Sequence, residues 1–228
     1  MSQPIASLLG LSILALLPFL LITLTSFTKI TVVLGILRSA LGTPQIPPTV
    51  VLTGLAMMLT GYVMLPTTSA MVEASGPLLS RKTLEASPAA AVDVALEVAV
   101  RVRVPLRTFL ERHAHPRDRA LFRELSARRL AASRKPGDAP RATEPAPEDG
   151  LPVLAPAFLI SQLREAFTIG FLLFLPFLVI DLVVSNLLLA LGMQMLQPTT
   201  VSLPFKLLLF VMVDGWHLLA RGLVLGYG

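Results

Sequence analysis

Charge in this chain is confined to one stretch. Residues 73–149 hold 14 of the 19 Lys and Arg and 11 of the 14 Asp and Glu. The rest carries five cations (Lys29, Arg38, Arg164, Lys206, Arg221) and three anions (Glu165, Asp181, Asp214). Two apolar blocks therefore flank one polar insert. A soluble domain usually has about a quarter of its residues charged; here 14% are charged and 54% hydrophobic. The layout is that of a membrane protein, all-α, with two long helical hairpins either side of a helical insert.

There is no cysteine, which excludes disulfides, thiolate metal sites and Cys nucleophiles. A pI near 10.2 suggests a nucleic-acid partner. The insert nets only +3, however, because its basic residues are mixed with acids. That mixture reads as a solvated amphipathic face and argues against nucleic acid.

The first block spans residues 1–72. Residues 1–28 are uncharged, and Ile5 to Leu24 is long enough to cross a bilayer, which takes about 20 apolar residues. No basic start or small-residue cleavage site marks it as a signal peptide. The pattern predicts a retained helix, hinged near Pro18, that continues through Lys29 to Leu41. Gly42 and the prolines at 44, 47 and 48 then break it. Val50 to Val72 is the second span of the hairpin. Gly54 and Gly61, with Thr53 and Thr60 beside them, put small residues on one face, where helix backbones can approach closely in lipid.

Residues 73–133 form the insert and read as helical, with a new segment starting at Pro105. Phe109, Leu110, Leu121, Phe122, Leu125 and Leu130 recur at roughly helical spacing among Arg and Glu. His113 and His115 point to different faces of a helix, and Asp118 alone does not complete a metal site. Residues 134–156 carry six prolines and read as a linker.

Residues 157–228 form the second hairpin. Its first arm, Ala157 to Leu191, reads as one helix or two, kinked at Pro176. A carboxylate at Asp181, inside the apolar run, costs at least about 2.5 kcal/mol on insertion scales and needs a partner or water. Residues 192–198 read as a turn, and Leu203 to Leu225 as the last apolar segment. On one continuous helix Asp214 and Arg221 would lie within about 20° of each other, with Lys206 about 80° away. Such a cluster fits ion pairs between helices or subunits. No Ser–His or paired-Asp constellation stands in the apolar blocks, and His217 has no evident nucleophile beside it, so an intramembrane enzyme is disfavoured. A small-solute transporter or channel would want internal repeats, which the two blocks do not show.

Eight runs, taken in order, are distinctive. They are Thr25-Ser26-Phe27-Thr28-Lys29-Ile30, Leu37-Arg38-Ser39-Ala40-Leu41-Gly42 and Pro47-Pro48 in the first block. In the second block they are Ala166-Phe167-Thr168-Ile169-Gly170-Phe171, Pro176-Phe177-Leu178-Val179-Ile180-Asp181-Leu182, Leu191-Gly192-Met193, Leu203-Pro204-Phe205-Lys206 and Val213-Asp214-Gly215-Trp216. Together they resemble the FliP/SctR family, a core export-gate subunit of type III secretion systems. In the insert the likeness rests mainly on Pro105-Leu106-Arg107-Thr108-Phe109-Leu110.

The resemblance implies a pentameric pore in the bacterial inner membrane, with no enzymatic step and no cofactor. It implies assembly with the other small export-gate membrane subunits and the large export-gate protein, and passage of unfolded polypeptides. It places the insert on the periplasmic side, against the positive-inside rule, which governs loops shorter than about 60 residues. Met193 and Met195 match a Met-rich loop that acts as a gasket; Gln194 replaces the commoner middle Met. Arg38, Gln162, Glu165, Asp181, Lys206, Asp214 and Arg221 are the expected assembly contacts. Family members often carry a carboxylate at the Gln162 position that meets the Lys206 position between subunits. With Gln162 neutral, Lys206 is expected to pair with Glu165 or to hydrogen-bond to Gln162. Ser185-Asn186-Leu187 and Gln194-Met195-Leu196 lean towards the non-flagellar branch; the flagellar branch is the alternative.

Overall fold

A computed structural model describes residues 22–43, 46–76, 88–132 and 149–228. Among these the chain is helical throughout, without strands. The helices are α1 (Phe27–Leu41), α2 (Thr49–Ser75), α3 (Pro88–His113), α4 (Pro116–Ala132), α5 (Leu151–Ala190), α6 (Pro198–Met212) and α7 (Gly215–Leu225). The expected N-terminal span with its Pro18 hinge lies almost wholly outside the described residues, as does the linker as far as residue 148.

Helices α2 and α5 are each long and apolar enough to cross a membrane, and α6 with α7 form a third candidate, bent by 61°. Helix α5 has 40 residues, about 60 Å at 1.5 Å per residue. A bilayer core is about 30 Å thick, so only part of α5 can lie within it. The run from Phe167 to the helix end at Ala190, charged only at Asp181, is the part apolar enough to do so.

The chain divides into two compact units. One combines Ser26–Val63 with Leu163–Gly228, and α1 is its centre. Ile30, Val33, Leu34, Leu37, Ala40 and Leu41 fall at three- and four-residue intervals and are all buried, the stripe of a core-facing helix. They pack with Leu52 and Ala56 of α2, Ala166 and Phe177 of α5, Phe210 of α6, and Leu219 and Leu223 of α7. A Cβ on Gly170 would stand 2.3 Å from Ile36 Cδ1, so only glycine lets α5 come this close to α1.

The other unit includes Met64–Gln162. Phe109, Leu110 and Ala114 of α3 are buried, as are Val153, Leu154, Ala157 and Phe158 at the start of α5. The Phe109 and Phe158 rings lie 5.6 Å apart. Ser161 Oγ donates to Asp118 Oδ2 at 2.7 Å and accepts the His115 N–H at 2.8 Å. Gln162 Nε2 donates to the His113 carbonyl at 3.1 Å. Asp149, just before α5, receives both Arg119 and Arg123, the latter as a two-bonded fork at 2.9 and 2.7 Å. Burial pushes the Asp149 carboxyl up, and the hydrogen bonds and charges of the two arginines more than offset this, holding it below the usual carboxylate range.

Four local expectations are corrected. The first helix does not run unbroken into α1: residues 24–26 leave the helix, where Thr25 Oγ1 donates to the Ile22 carbonyl at 3.0 Å. Short hydroxyl side chains compete in this way for helical backbone. Pro105 starts no new segment, and α3 runs through it. The carbonyl that a proline orphans is four residues back, at Arg101, an exposed residue. The proline-rich stretch ends at residue 150, because Pro152 and Pro156 lie in the opening turns of α5. Pro152 stands in the first turn, where proline forfeits no intrahelical bond, whereas Pro156, one turn further in, gives up the bond to the Pro152 carbonyl. The last apolar segment is two helices meeting at an elbow.

Candidate functional site

Three features stand out in the unit around α1. The first is an ion pair between α5 and α6. Lys206 Nζ lies 2.7 Å from Asp181 Oδ2 and donates to the Ala40 carbonyl at 3.0 Å. Ser202 Oγ donates to Asp181 Oδ1 at 2.5 Å. Ser202 and Lys206 are four residues apart on α6 and so share a face. Both the ammonium and the carboxylate find several partners, which a buried pair needs if its electrostatic gain is to offset desolvation.

The second is Lys29, with only 1% of its side chain exposed. Its ammonium lies 2.8 Å from Glu165 Oε2 and 3.4 Å from the Gly226 carbonyl, and 3.8 Å from the centroid of the Tyr227 ring. A cation over an aromatic face gains from the ring quadrupole. One lysine thus ties α1 to α5 and to the residues after α7.

The third is the turn between α5 and α6. Gly192 has φ +74°; its N–H bonds to Leu189 O at 3.0 Å, and the Met193 N–H to Leu188 O at 2.9 Å. This is the Schellman ending, which a left-handed glycine allows. Gln197 then takes the N-cap position of α6 without a side-chain cap bond, and Pro198 opens the helix, where its missing N–H is harmless. Between these fixed ends Met193 and Met195 project outward, Met195 with 98% of its surface exposed, alongside exposed Leu191 and Leu196.

The expected assembly residues fall into two groups. Within the chain Lys206 takes neither partner expected of it. Glu165 is held by Lys29, Gln162 by the His113 carbonyl, and Asp181 takes Lys206 instead. Arg38 Nη1 donates to Thr49 Oγ1 at 2.8 Å. Asp214 and Arg221, in contrast, are exposed. The geometric reason given for grouping them with Lys206 fails, because α6 and α7 are not one straight helix. Asp214 sits at the elbow with φ +50°, a left-handed conformation that Asp tolerates better than most residues. Gly215 lies directly under Phe210, where a Cβ would stand 2.2 Å from the ring, and Trp216 meets that ring edge-on at 5.2 Å.

Sequence reasoning missed the Lys29–Glu165–Tyr227 site, Ser202 on Asp181, and the Asp149 clamp. One signal was available. Lys29 is the sole charge in the first 37 residues, and a lone ammonium in an apolar run needs an anion.

The FliP family profile matches residues 10–223. The chain is 43% identical to the Hypersensitivity response secretion protein HrcR of Ralstonia nicotianae, over 97% of both chains. It is 42% identical to the Yop proteins translocation protein R of Yersinia pestis, over 96% of this chain and 94% of that one. It is 39% identical to the Flagellar biosynthetic protein FliP of Bacillus subtilis, over 98% of this chain and 91% of that one. The match runs through both apolar blocks and the insert between them, and the chain belongs to the FliP family.

Proposed function

We propose that this chain is a core subunit of a type III secretion export gate in the bacterial inner membrane. Several copies, five in the full ring, surround a pore with the other small export-gate subunits and the large export-gate protein. Unfolded polypeptides cross through the middle. The subunit carries out no chemistry of its own, and its insert lies on the periplasmic side. Family membership supports this reading, as do helices of membrane-crossing length. The non-flagellar branch is favoured by the Ser185-Asn186-Leu187 and Gln194-Met195-Leu196 runs.

The observation that carries the pore assignment is the turn holding Met193 and Met195. Two flexible thioether side chains are exposed, Met195 almost fully and Met193 by about half, on a loop whose backbone is fixed at both ends. Methionine adapts its shape to what it touches, and an apolar constriction closes a pore by excluding water. A ring of such turns seals against ions and yields to varied chains. The test is to replace Met193 and Met195 together by Gly, co-express with the other gate subunits, and record conductance in planar bilayers. A leak of small ions through an otherwise assembled gate is expected. A closed state as tight as wild type would overturn the gasket role.

A further inference from the structure

Sulfur chemistry in this chain belongs to methionine alone, since it has eight Met and no Cys. The described methionines stand in different settings. Met64 is buried in α2, and Met71 half-buried. Met57, Met58 and Met212 are exposed on α2 and α6 among exposed apolar neighbours such as Val51, Tyr62 and Val211. Those helices are candidate membrane spans, so that surface meets lipid or protein. Among the described methionines only Met193 and Met195 lie outside a helix. The Leu196 N–H bonds to the Met193 carbonyl at 3.4 Å, which closes a four-residue turn with Gln194 and Met195 as its central pair. Met195 at that tip is 98% exposed, against 46% for Met193.

We infer that Met195 is an oxidation site, and that its conversion to the sulfoxide by hydrogen peroxide breaks the seal. This rests on the gasket role proposed for the turn. The sulfur lone pair attacks one peroxide oxygen and the O–O bond breaks. The proton on the transferred oxygen joins the departing hydroxide, and water leaves. Sulfur loses two electrons and the peroxide gains them. The sulfoxide is the reversible rung of methionine oxidation, and reductases return it to the thioether. Access to a water-borne oxidant sets the order, so Met195 at the tip precedes Met193 and the buried Met64 comes last. The product then changes what the turn can do. A thioether is apolar and a weak acceptor, whereas the sulfoxide is polar and holds water. A constriction that closes by excluding water fails once its lining is hydrated. Gln194 already places one polar side chain in the turn, so the apolar lining rests on the two thioethers with exposed Leu191 and Leu196. Loss of one thioether is therefore a large fraction of it.

The test uses the chain co-expressed with the other gate subunits and placed in planar bilayers. Dilute hydrogen peroxide is added, conductance is recorded, and peptides are weighed by mass spectrometry. One added oxygen is expected on Met195 ahead of Met193 and of the methionines on α2 and α6. A small-ion leak should grow as Met195 sulfoxide accumulates. Dithiothreitol with both methionine sulfoxide reductases, one for each epimer, should close the gate again. Met195→Leu, apolar and without sulfur, should stay tight in peroxide, and Met195→Gln, polar from the start, should leak without it. Oxidation that spares Met195 overturns the inference. A gate still tight with Met195 fully oxidised, where replacing Met193 and Met195 by Gly makes it leak, overturns the inference and leaves the gasket standing. A peroxide leak of equal size in Met195→Leu overturns it too, because the sensitive group then lies elsewhere. If Met195→Leu leaks unprovoked, the wild type decides: a leak that closes as Met195 sulfoxide is reduced supports the site, and one that persists overturns it. A tight gate from the Gly variant overturns the gasket and the oxidation switch together.

Discussion

Lys206 and Asp149 are both buried charges held by opposite charges, yet their surroundings differ. Lys206 sits among apolar helices with 2% of its side chain exposed. It has one carboxylate and one backbone carbonyl, and that carboxylate has one further donor, Ser202. Asp149 adjoins the arginine-rich α4 and has two guanidiniums, the second of them half-exposed. At the Lys206–Asp181 pair positive and negative groups are matched with nothing to spare. In the insert a surplus of arginine is carried at little cost, because water solvates whatever a carboxylate does not. Removing one group should therefore orphan its partner in the first case and merely free a solvated side chain in the second.

The sharpest way to break this contrast is Lys206→Met. It leaves Asp181 charged between α5 and α6, and removing one member of a buried pair costs about 3–5 kcal/mol. Pairing it with Asp181→Leu should recover most of that loss, since no orphan remains. Thermal melts of the detergent-solubilised protein check both. If the double variant is no better than the single one, the matched-charge account of this unit is wrong. Charge reversal at Lys206 should accordingly harm the fold of one chain, beyond any effect on how copies assemble.

A smaller effect is expected at Gly170, where packing alone is at stake. Gly170→Ala adds a Cβ against Ile36, and overpacking of this kind costs about 1–3 kcal/mol. Adding Ile36→Val should relieve part of it, because the clash is with the Ile36 side chain. Equal melting temperatures for Gly170→Ala and wild type would show that α1 and α5 can separate freely, and would weaken the picture of α1 as the fixed centre.

The two units also differ in how far the sequence announces them. The α1 stripe from Ile30 to Leu41, the break at Gly42 and the α5–α6 turn are legible, because periodicity and the left-handed preference of glycine act locally. The start of α5 is not. Pro152 and Pro156 read as breakers unless the helix N-terminus is already placed. Asp181 is recognisable as a charge in need of a partner, but Lys206 and Ser202 are not recognisable as that partner. They come to it only because the turn folds α6 back along α5. The elbow at Asp214 is hidden for a similar reason. Asp214-Gly215 is a turn dipeptide, but alone within an apolar run it does not announce a bend, which depends on Gly215 sitting beneath Phe210, a contact that exists only once the helices pack.

On the insert side, Asp149→Asn should cost less, about 1–2 kcal/mol, since the exposed arginines regain water. It should also remove a pH dependence. The folded carboxyl lies below its ordinary value of 3.8. Its contribution is therefore complete above that value and is lost as pH falls through the lower folded one. Acid melts of wild type and Asp149→Asn should converge once the folded carboxyl is protonated and stay apart at neutrality. Curves that stay parallel throughout would mean the arginines do not act through the ionised carboxylate.

The smallest change in stability is expected at Gly192, and it bears on the turn rather than on either charge scheme. At φ +74° an alanine costs about 1 kcal/mol relative to glycine, and asparagine less, since its side chain tolerates the left-handed region. No neighbour lies within 4 Å of the position where a Cβ would stand, so sterics add nothing to the backbone term. The turn's role depends on whether that backbone term holds Met193 and Met195 in place. If it does, Gly192→Ala should make the closed gate leak while the melting temperature barely moves, and Gly192→Asn should stay tight. Leaks of equal size from both would tie the defect to the loss of glycine itself. Tight gates from both would leave the seal to the methionine side chains alone, with the Schellman ending reduced to a helix terminator.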